Sequence, residues 1–197
     1  MTFIVVEGGE GVGKSTQVER LTSRLRSLGR SVDRTREPGG TPAGAELRER
    51  LLHGGEVDAE TELGWFLEDR RIHVDERIRP SLGKGMIVVC DRFSPSTIVY
   101  QGVARGMGVD YVESRCLEAT KEIVPDVVLV LDLADDIAEA RVAPSRDRLE
   151  REGGAFHAVV RQAFRDLAPG RGWVLVDASG SPKEVAARVW AVVAPLL

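Results

Sequence analysis

The stretch of sequence at residues 8–15 reads GGEGVGKS and matches the pattern Gly-x-x-x-x-Gly-Lys-Ser. Residues 3–6 before it are a short run of apolar β-forming residues, and apolar residues recur at helical spacing over residues 14–28 after it. The stretch therefore joins a predicted strand to a predicted helix, which is the context of a phosphate-binding loop. Its glycines let several backbone N–H groups turn towards one anion, and the helix N-terminus adds partial positive charge.

This loop predicts a site for a nucleoside triphosphate with Mg²⁺. Lys14 is expected to reach the outer phosphates, and the hydroxyl group of Ser15 is expected to ligate the metal. The alternative is a glycine-rich turn between strand and helix that binds nothing. The residues expected to hold the nucleotide here are Gly8, Gly9, Glu10, Gly11, Val12, Gly13, Lys14, Ser15 and Thr16.

Length and composition predict one domain over residues 1–197, with 43% hydrophobic and 29% charged residues. The net charge of −4 gives no general reason to expect binding to nucleic acid or to an anionic membrane. The two cysteines are too few for a disulfide framework or a metal site. We find neither a signal peptide nor an apolar run near the ~20 residues of a membrane span, and we therefore expect a cytoplasmic location.

Strand and helix patterns alternate along the whole chain. Continuous apolar runs, such as MIVVC at residues 86–90, are typical of strands buried on both faces of a parallel sheet. Ser94 followed by Pro95 predicts the N-cap and first position of a helix that ends near residue 102. Five strands with helices between them predict a three-layer α/β/α fold with a five-stranded parallel sheet. The predicted strands cover residues 3–6, 32–35, 86–90, 127–133 and 173–176.

Polar residues follow several of these strands, at the edge of the sheet where ligands of such folds bind. Arg36 and Glu37 follow the second strand in a loop rich in proline and glycine, where a solvated pair is the alternative. Asp91 follows the third strand, where an acid acts on Mg²⁺ in phosphate-loop enzymes or, equally, caps the next helix. Arg92 beside it is the kind of cation that two reacting phosphates need between them.

Phe66 and Arg70 stand four residues apart in a helix predicted over residues 60–82, so they share one face. An aromatic ring stacks on a base, and an arginine bonds a carbonyl edge. A phenylalanine at this spacing is, however, more often part of the core.

The segment RVAPSRDRLE at residues 141–150 contains three arginines and a proline. Its proline and alternating charges predict exposed chain between two helices. Arginines near a triphosphate site could close over it and stabilise the charge of the transferred group. A solvated connector is the alternative.

Together these clusters resemble one family, the thymidylate kinases, which phosphorylate deoxythymidine monophosphate (dTMP). The motifs occur in the family's order over nearly the whole chain: EGGEGVGKST, TREPGGTP, ELRERLL, the pair at residues 66 and 70, DRFSPSTIVYQG and DRLE. The resemblance implies the P-loop nucleotide kinase fold, ATP as phosphoryl donor, Mg²⁺ as metal and a homodimer.

The resemblance also implies roles on the acceptor side. Glu10 would lie near the sugar of dTMP, and Arg48 would bind its phosphate. Phe66 would stack on thymine, and Arg70 would bond its exocyclic oxygen. The peptide bond between residues 37 and 38 would be cis. The other residues expected to shape the acceptor site or line the nucleoside pocket are Glu37, Pro38, Ser96, Thr97, Tyr100 and Gln101.

On the donor side, the resemblance implies that Arg92 bridges the two phosphates and that a lid forms over residues 141–151. Because positions 10–12 carry neither lysine nor arginine, the lid would supply the catalytic arginine, from Arg146 or Arg148. Arg141 in the same lid would contact the nucleotide. The expected catalytic residues are Lys14, Asp91, Arg92, Arg146 and Arg148, and the expected metal ligands are Ser15 and Asp91.

The expected reaction is transfer of the γ-phosphoryl group of Mg·ATP to dTMP, giving dTDP and ADP for dTTP biosynthesis. One alternative is a kinase of the same architecture that acts on another monophosphate, such as dUMP or dCMP. An alternative of another class is a nucleotide-binding switch without turnover. The chain has no asparagine, so the Asn-Lys-x-Asp motif that reads guanine in GTPases is absent.

Overall fold

Five parallel strands form the centre of the fold, in the order β2-β3-β1-β4-β5. They come from a computed structural model that describes residues 2–141, 148–149 and 151–197. All five predicted strands are confirmed, each within one or two residues of its predicted bounds. The strands are β1 Thr2–Glu7, β2 Val32–Arg36, β3 Ile87–Asp91, β4 Val127–Asp132 and β5 Val174–Asp177.

Nine α-helices occur among the described residues, and they cover both faces of the sheet. Residues 74–78 and 98–104 are π-helical and continue the helices before them. A short 3₁₀ turn follows the last helix. The helices are α1 Lys14–Ser27, α2 Pro42–His53, α3 Ala59–His73, α4 Arg79–Gly83, α5 Ser94–Thr97, α6 Val109–Thr120, α7 Asp135–Arg141, α8 Gly154–Arg171 and α9 Pro182–Val193.

The core has two layers because every inner strand is apolar on both faces. One layer packs alternate residues of the strands, such as Ile4 and Leu129, against Leu25 of α1 and Val189 of α9. The opposite layer packs the intervening residues against α8 and the π-helical segments. This arrangement confirms the predicted three-layer α/β/α fold.

The start of α5 differs from the sequence prediction. Phe93, not Ser94, is the N-cap of α5, and its side chain makes no capping hydrogen bond; the helical chain then continues through residue 104. α6 ends at Thr120 because Lys121, the residue after it, adopts a left-handed φ of 49°. Such backbone geometry ends a helix, and it is usually occupied by glycine.

Both cysteines, Cys90 and Cys116, are free thiols buried in the core. Among the described residues, the helices are all too short or too polar to span a bilayer.

Candidate active site

A cleft with a volume of about 360 Å³ opens at the carboxyl edge of the sheet. It runs from the glycine-rich loop after β1 to the side chains of Arg48 and Leu52 on α2 and of Phe66 and Arg70 on α3. All the residues expected on the acceptor side line it: Glu10, Glu37, Pro38, Arg48, Phe66, Arg70, Arg92, Ser96, Thr97, Tyr100 and Gln101.

The glycines of the loop occupy backbone conformations that other residues rarely adopt. Gly8, Gly11 and Gly13 have φ values of 133°, 76° and 90°. A Cβ atom on Gly8 would lie 2.5 Å from the carbonyl oxygen of Leu131, and one on Gly11 would overlap the backbone of Ala138. The loop is therefore shaped by close approach to β4 and α7 as well as by its own turn.

Lys14 is buried at the start of α1, and its Nζ donates a hydrogen bond of 2.5 Å to the carbonyl oxygen of Gly9. Burial lowers the pKa of Lys14, and the positive charge of Arg92 adds to that effect. The charge of Lys14 in turn lowers the pKa of Glu10 to about 2, with Arg92 acting in the same direction. At neutral pH, Glu10 is therefore an anion held against these two side chains.

The metal-binding prediction is consistent with the donor atoms at the mouth of the loop. Oγ of Ser15 and Oδ2 of Asp91 lie 2.7 Å apart, at the start of α1 and the end of β3. A hydroxyl and a carboxylate oxygen suit Mg²⁺, which binds few protein ligands and completes its shell with phosphate oxygens and water. Among the described residues, no cluster of three or more histidine, cysteine or acidic side chains forms a cage for a metal.

Arg92 stands between the phosphate loop and the half of the cleft that is lined by Phe66 and Arg70, which is called the acceptor half below. Its backbone has a φ of 69°, and its N–H donates to the carbonyl oxygen of Val6 at 3.0 Å. The guanidinium donates to the carbonyl oxygen of Gly8 at 3.1 Å, to Oγ of Ser96 at 2.9 Å and to the carboxylate of Glu10. These contacts hold a planar cation at the junction between the phosphate loop and the rest of the cleft.

Glu7 lies beneath the turn that carries Arg92, and it was not predicted as a site residue. It is completely buried, and burial raises its pKa. Its carboxylate accepts hydrogen bonds from the backbone N–H of Phe93 at 2.8 Å and from Oγ of Ser96 at 2.6 Å. Glu7 therefore fixes the turn that presents Arg92. An acidic residue at the end of an otherwise apolar strand was the signal for it in the sequence.

Arg70 is buried on α3, facing the acceptor half of the cleft. Its Nε donates to Oε2 of Glu37 at 2.9 Å, and Nη2 donates to Oγ1 of Thr97 at 2.9 Å. Nη1 contacts Sγ of Cys116 at 3.2 Å. The buried ion pair with Glu37 fixes the plane of the guanidinium, so Arg70 has one orientation to offer a ligand.

Glu37 links the loop after β2 to α3. Its backbone N–H donates to the carbonyl oxygen of Asp91 at 3.0 Å, and Nδ1 of His73 lies 2.9 Å from its Oε1. The Glu37–Pro38 bond is cis, as expected. Nη1 of Arg48 donates to the carbonyl oxygen of Pro38 at 2.9 Å, so the arginine expected to bind the acceptor phosphate lies beside this loop.

The structure does not bring every expected residue to the cleft wall. Gly8, Gly9 and Val12 lie below the surface of the loop, and the exposed side chain of Arg141 is not part of the wall. Arg148 is also absent from the wall: Nη1 lies 2.7 Å from Oε2 of Glu62, and Nε donates to the carbonyl oxygen of Leu51 at 3.0 Å. Arg146 lies outside the described residues, so its expected role remains a prediction.

Several further residues, in the cleft wall or behind it, were missed in the sequence. Glu62, Asp69 and His73 share the face of α3 that carries Phe66 and Arg70. Their spacing along a helix was the available signal, but a buried polar residue cannot be told from an exposed one by spacing alone. Leu52, Leu149 and His157 also line the cleft.

Comparison with known proteins agrees with this geometry. A sequence model of the thymidylate kinase family matches residues 6–189. A protein named thymidylate kinase from Synechococcus sp. (strain JA-2-3B'a(2-13)) is 47% identical over 197 residues, covering 99% of this chain and 95% of the relative. A relative of the same name from Leifsonia xyli subsp. xyli (strain CTCB07) is 44% identical, and the alignment covers 95% of this chain and 91% of the relative. Another, from Thermomicrobium roseum (strain ATCC 27502 / DSM 5159 / P-2), is 43% identical, and the alignment covers 99% of this chain and 95% of the relative. The chain belongs to the thymidylate kinase family.

Proposed function

We propose that this protein transfers the γ-phosphoryl group of ATP to dTMP, giving dTDP and ADP. The observation that carries this proposal is the position of Arg92. Its guanidinium lies at the junction between the phosphate loop and a second half-cleft walled by Phe66 and Arg70. A cation at that junction fits a reaction between two phosphates better than it fits hydrolysis or simple binding of one nucleotide.

On the donor side, the backbone N–H groups of the loop and Lys14 would hold the β- and γ-phosphates of ATP. Mg²⁺, held by Ser15 and Asp91 together with the phosphates, would neutralise charge on the transferred group. The hydrogen bond from Lys14 to Gly9 is a contact that a phosphate oxygen would replace.

On the acceptor side, a phosphate oxygen of dTMP is already a competent nucleophile near neutral pH, so no strong general base is needed. Arg48 would bind that phosphate, and Arg92 would hold it in line with the γ-phosphorus atom. Catalysis would then consist of positioning and charge neutralisation, and no covalent intermediate with the protein would form.

The base would stack on Phe66, and its exocyclic oxygen would accept from Arg70. The C5-methyl group distinguishes thymine from uracil by only about 1–3 kcal/mol. We therefore expect some activity on dUMP. Tyr100, whose pKa is raised to about 12 by burial, would remain a neutral hydroxyl in the pocket wall.

The lid over residues 141–151 is also expected to supply a positively charged arginine side chain that stabilises the transferred phosphoryl group. The proposal includes Arg146 as the lid arginine on the transferred group and Arg141 as a contact of the nucleotide.

The proposal further includes a single domain over residues 1–197, a homodimer and a cytoplasmic location. Two unpaired, buried thiols are consistent with a reducing compartment.

The test is turnover of the purified protein with Mg·ATP and one of dTMP, dUMP, dCMP, dGMP or AMP, followed by ADP release. Highest kcat/KM with dTMP supports the proposal. Highest kcat/KM with another monophosphate would keep the phosphoryl transfer and reject thymine as the base. ATP binding without turnover on any acceptor would reject the kinase activity and favour a nucleotide switch.

A further inference from the structure

The proposed roles of the cleft residues leave one buried carboxylate unexplained. Glu62 lies near the start of α3, one turn before Phe66 on the same face, and is 1% exposed. It does not line the cleft. A carboxylate is expensive to bury unless charged partners and hydrogen bonds surround it, so its partners show what it is for.

Glu62 has three partners, which come from two other segments: Gln101 and Arg105 from the π-helical segment and its C-cap, and Arg148 from the chain before α8. Nη1 of Arg148 lies 2.7 Å from its Oε2, and Nε of Arg105 lies 3.3 Å from its Oε1. Nε2 of Gln101 donates to Oε1 at 2.7 Å. Arg105 also pairs with Glu152 at 2.6 Å, close to the start of α8. One carboxylate therefore joins α3, the π-helical segment and the chain just before α8.

Arg148 connects Glu62 to α2, which forms part of the wall of the cleft. The backbone N–H of Arg148 donates to the carbonyl oxygen of Leu52 at 2.9 Å, and Nε donates to that of Leu51 at 3.0 Å. These carbonyl groups belong to the last turn of α2, where a helix leaves acceptors without intrahelical donors and favours a cation. Leu52 and the neighbouring Leu149 both line the cleft. Arg148 thus fixes part of the cleft wall from behind.

The contact with Gln101 fixes which end of its side-chain amide faces the cleft. A carboxylate only accepts hydrogen bonds, so the amide nitrogen of Gln101 must point to Glu62. The amide oxygen is then the atom that Gln101, which lines the cleft, has to offer to a ligand. An acceptor at that place favours a base with N–H at ring position 3, as in thymine and uracil, over cytosine, which has none.

We propose that Glu62 is a positioning residue of the acceptor pocket: its carboxylate holds Arg148 against α2 and orients the amide of Gln101 towards bases that carry an N3–H group. Arg148 in this arrangement supports the cleft wall and does not touch the transferred phosphate. The inference rests on the proposed function, because it concerns the acceptor pocket of that reaction.

The first test is Glu62→Gln, which keeps the shape and removes the charge. Its amide group can turn the Gln101 amide, so we expect kcat/KM for dTMP to fall about 10²-fold, as for small displacements away from the reacting atoms. The ratio of kcat/KM for dTMP to that for dCMP should fall at least about tenfold, since one hydrogen bond to the base reverses. The affinity for ADP should be unchanged. An unchanged ratio, or an equal loss of ADP affinity, would overturn the inference.

The matched control is Glu68→Gln on the same helix. Glu68 also pairs with an arginine, Arg71, but both side chains are about half exposed. This variant should keep the wild-type selectivity. Wild-type protein is measured in parallel with dTMP: no turnover there would reject the proposed function itself, whereas wild-type turnover with an unaltered Glu62→Gln variant would reject only the role of Glu62.

The second variant, Arg148→Gln, covers the case in which Glu62→Gln does not fold. A positioning role predicts a raised KM for dTMP with kcat within a few-fold of wild type. Direct contact with the transferred phosphoryl group predicts a loss of about 10³-fold or more in kcat. That loss, or a wild-type KM, would overturn the inference. The Glu62→Gln/Arg148→Gln double variant should raise KM no more than the larger single change.

Discussion

Oγ of Ser15 donates a hydrogen bond of 2.7 Å to Oδ2 of Asp91, although the two residues are 76 positions apart in the chain. The parallel pairing of β1 with β3 brings them together, because it sets the phosphate loop and the end of β3 at the same edge of the sheet. Asp91 was equally consistent with a helix N-cap in the sequence. In the structure, Phe93 is the N-cap of α5 and Asp91 faces the phosphate loop.

Replacing Asp91 with asparagine should therefore weaken binding of Mg·ATP. We expect the Mg²⁺ concentration for half-maximal activity to rise about 10- to 100-fold, which is typical when a group that orients a metal site is lost. The measurement is a Mg²⁺ titration at saturating nucleotides. Asp110→Asn, an exposed change on α6, is the control and should not shift the titration. Equal Mg²⁺ requirements in both variants would rule out a metal role for Asp91.

Arg92→Ala should nearly abolish turnover. Removing an arginine that stabilises the transferred phosphoryl group costs about 10³–10⁵ in rate in related reactions. The fall should appear in kcat, measured at saturating ATP and dTMP. Arg71→Ala removes an exposed arginine of α3 and should leave kcat unchanged. Wild-type kcat in Arg92→Ala would show that no bridging contact is made.

Phe66→Ala should mainly raise the KM for dTMP. Stacking of a base on an aromatic side chain contributes about 1–3 kcal/mol, which corresponds to roughly 10- to 100-fold. Steady-state kinetics with varied dTMP would measure it, and kcat should change by only a few-fold. Tyr111→Ala removes an exposed ring on α6 as a control. If KM stays constant while the variant remains folded, Phe66 serves the core alone.

Asp69 should make stability depend on pH. Burial, followed by the charge of Glu37, raises its pKa from an ordinary value of 3.8 to about 6, and its Oδ1 accepts from the N–H of Gly39 at 3.0 Å. The folded state thus binds the proton more tightly than the unfolded chain. The contribution of Asp69 to the free energy of unfolding therefore falls as pH rises from about 4 to about 6, by about 3 kcal/mol.

Asp69→Asn keeps an oxygen for Gly39 and cannot ionise. Its free energy of unfolding minus that of wild type should be about 3 kcal/mol larger at pH 8 than at pH 4, because only wild type is destabilised when Asp69 ionises. Denaturant unfolding at the two pH values measures the difference. The exposed change Asp110→Asn should show no such pH dependence. A difference between Asp69→Asn and wild type that is the same at both pH values would contradict the raised pKa.

Much of the fold could be read directly from the chain because its signals are local. The glycines at positions 8, 11 and 13 require unusual φ values, and the apolar runs of β1, β3 and β4 are buried on both faces. Each signal depends on neighbours within a few residues. The phosphate loop, the five strands and the face of α3 that carries Phe66 and Arg70 were therefore predictable before any tertiary contact was known.

The sequence by itself predicted which residues would bind phosphate, metal and base, and the edge of the sheet at which they gather. Only the tertiary structure decided which charges meet: Glu7 beneath the turn that presents Arg92, and Glu62 against Arg148. The residues next to a carboxylate in the sequence do not indicate which positively charged side chain it will pair with. The pairing is set by burial and by contacts between segments far apart in the chain, where an unpaired charge is too costly to keep.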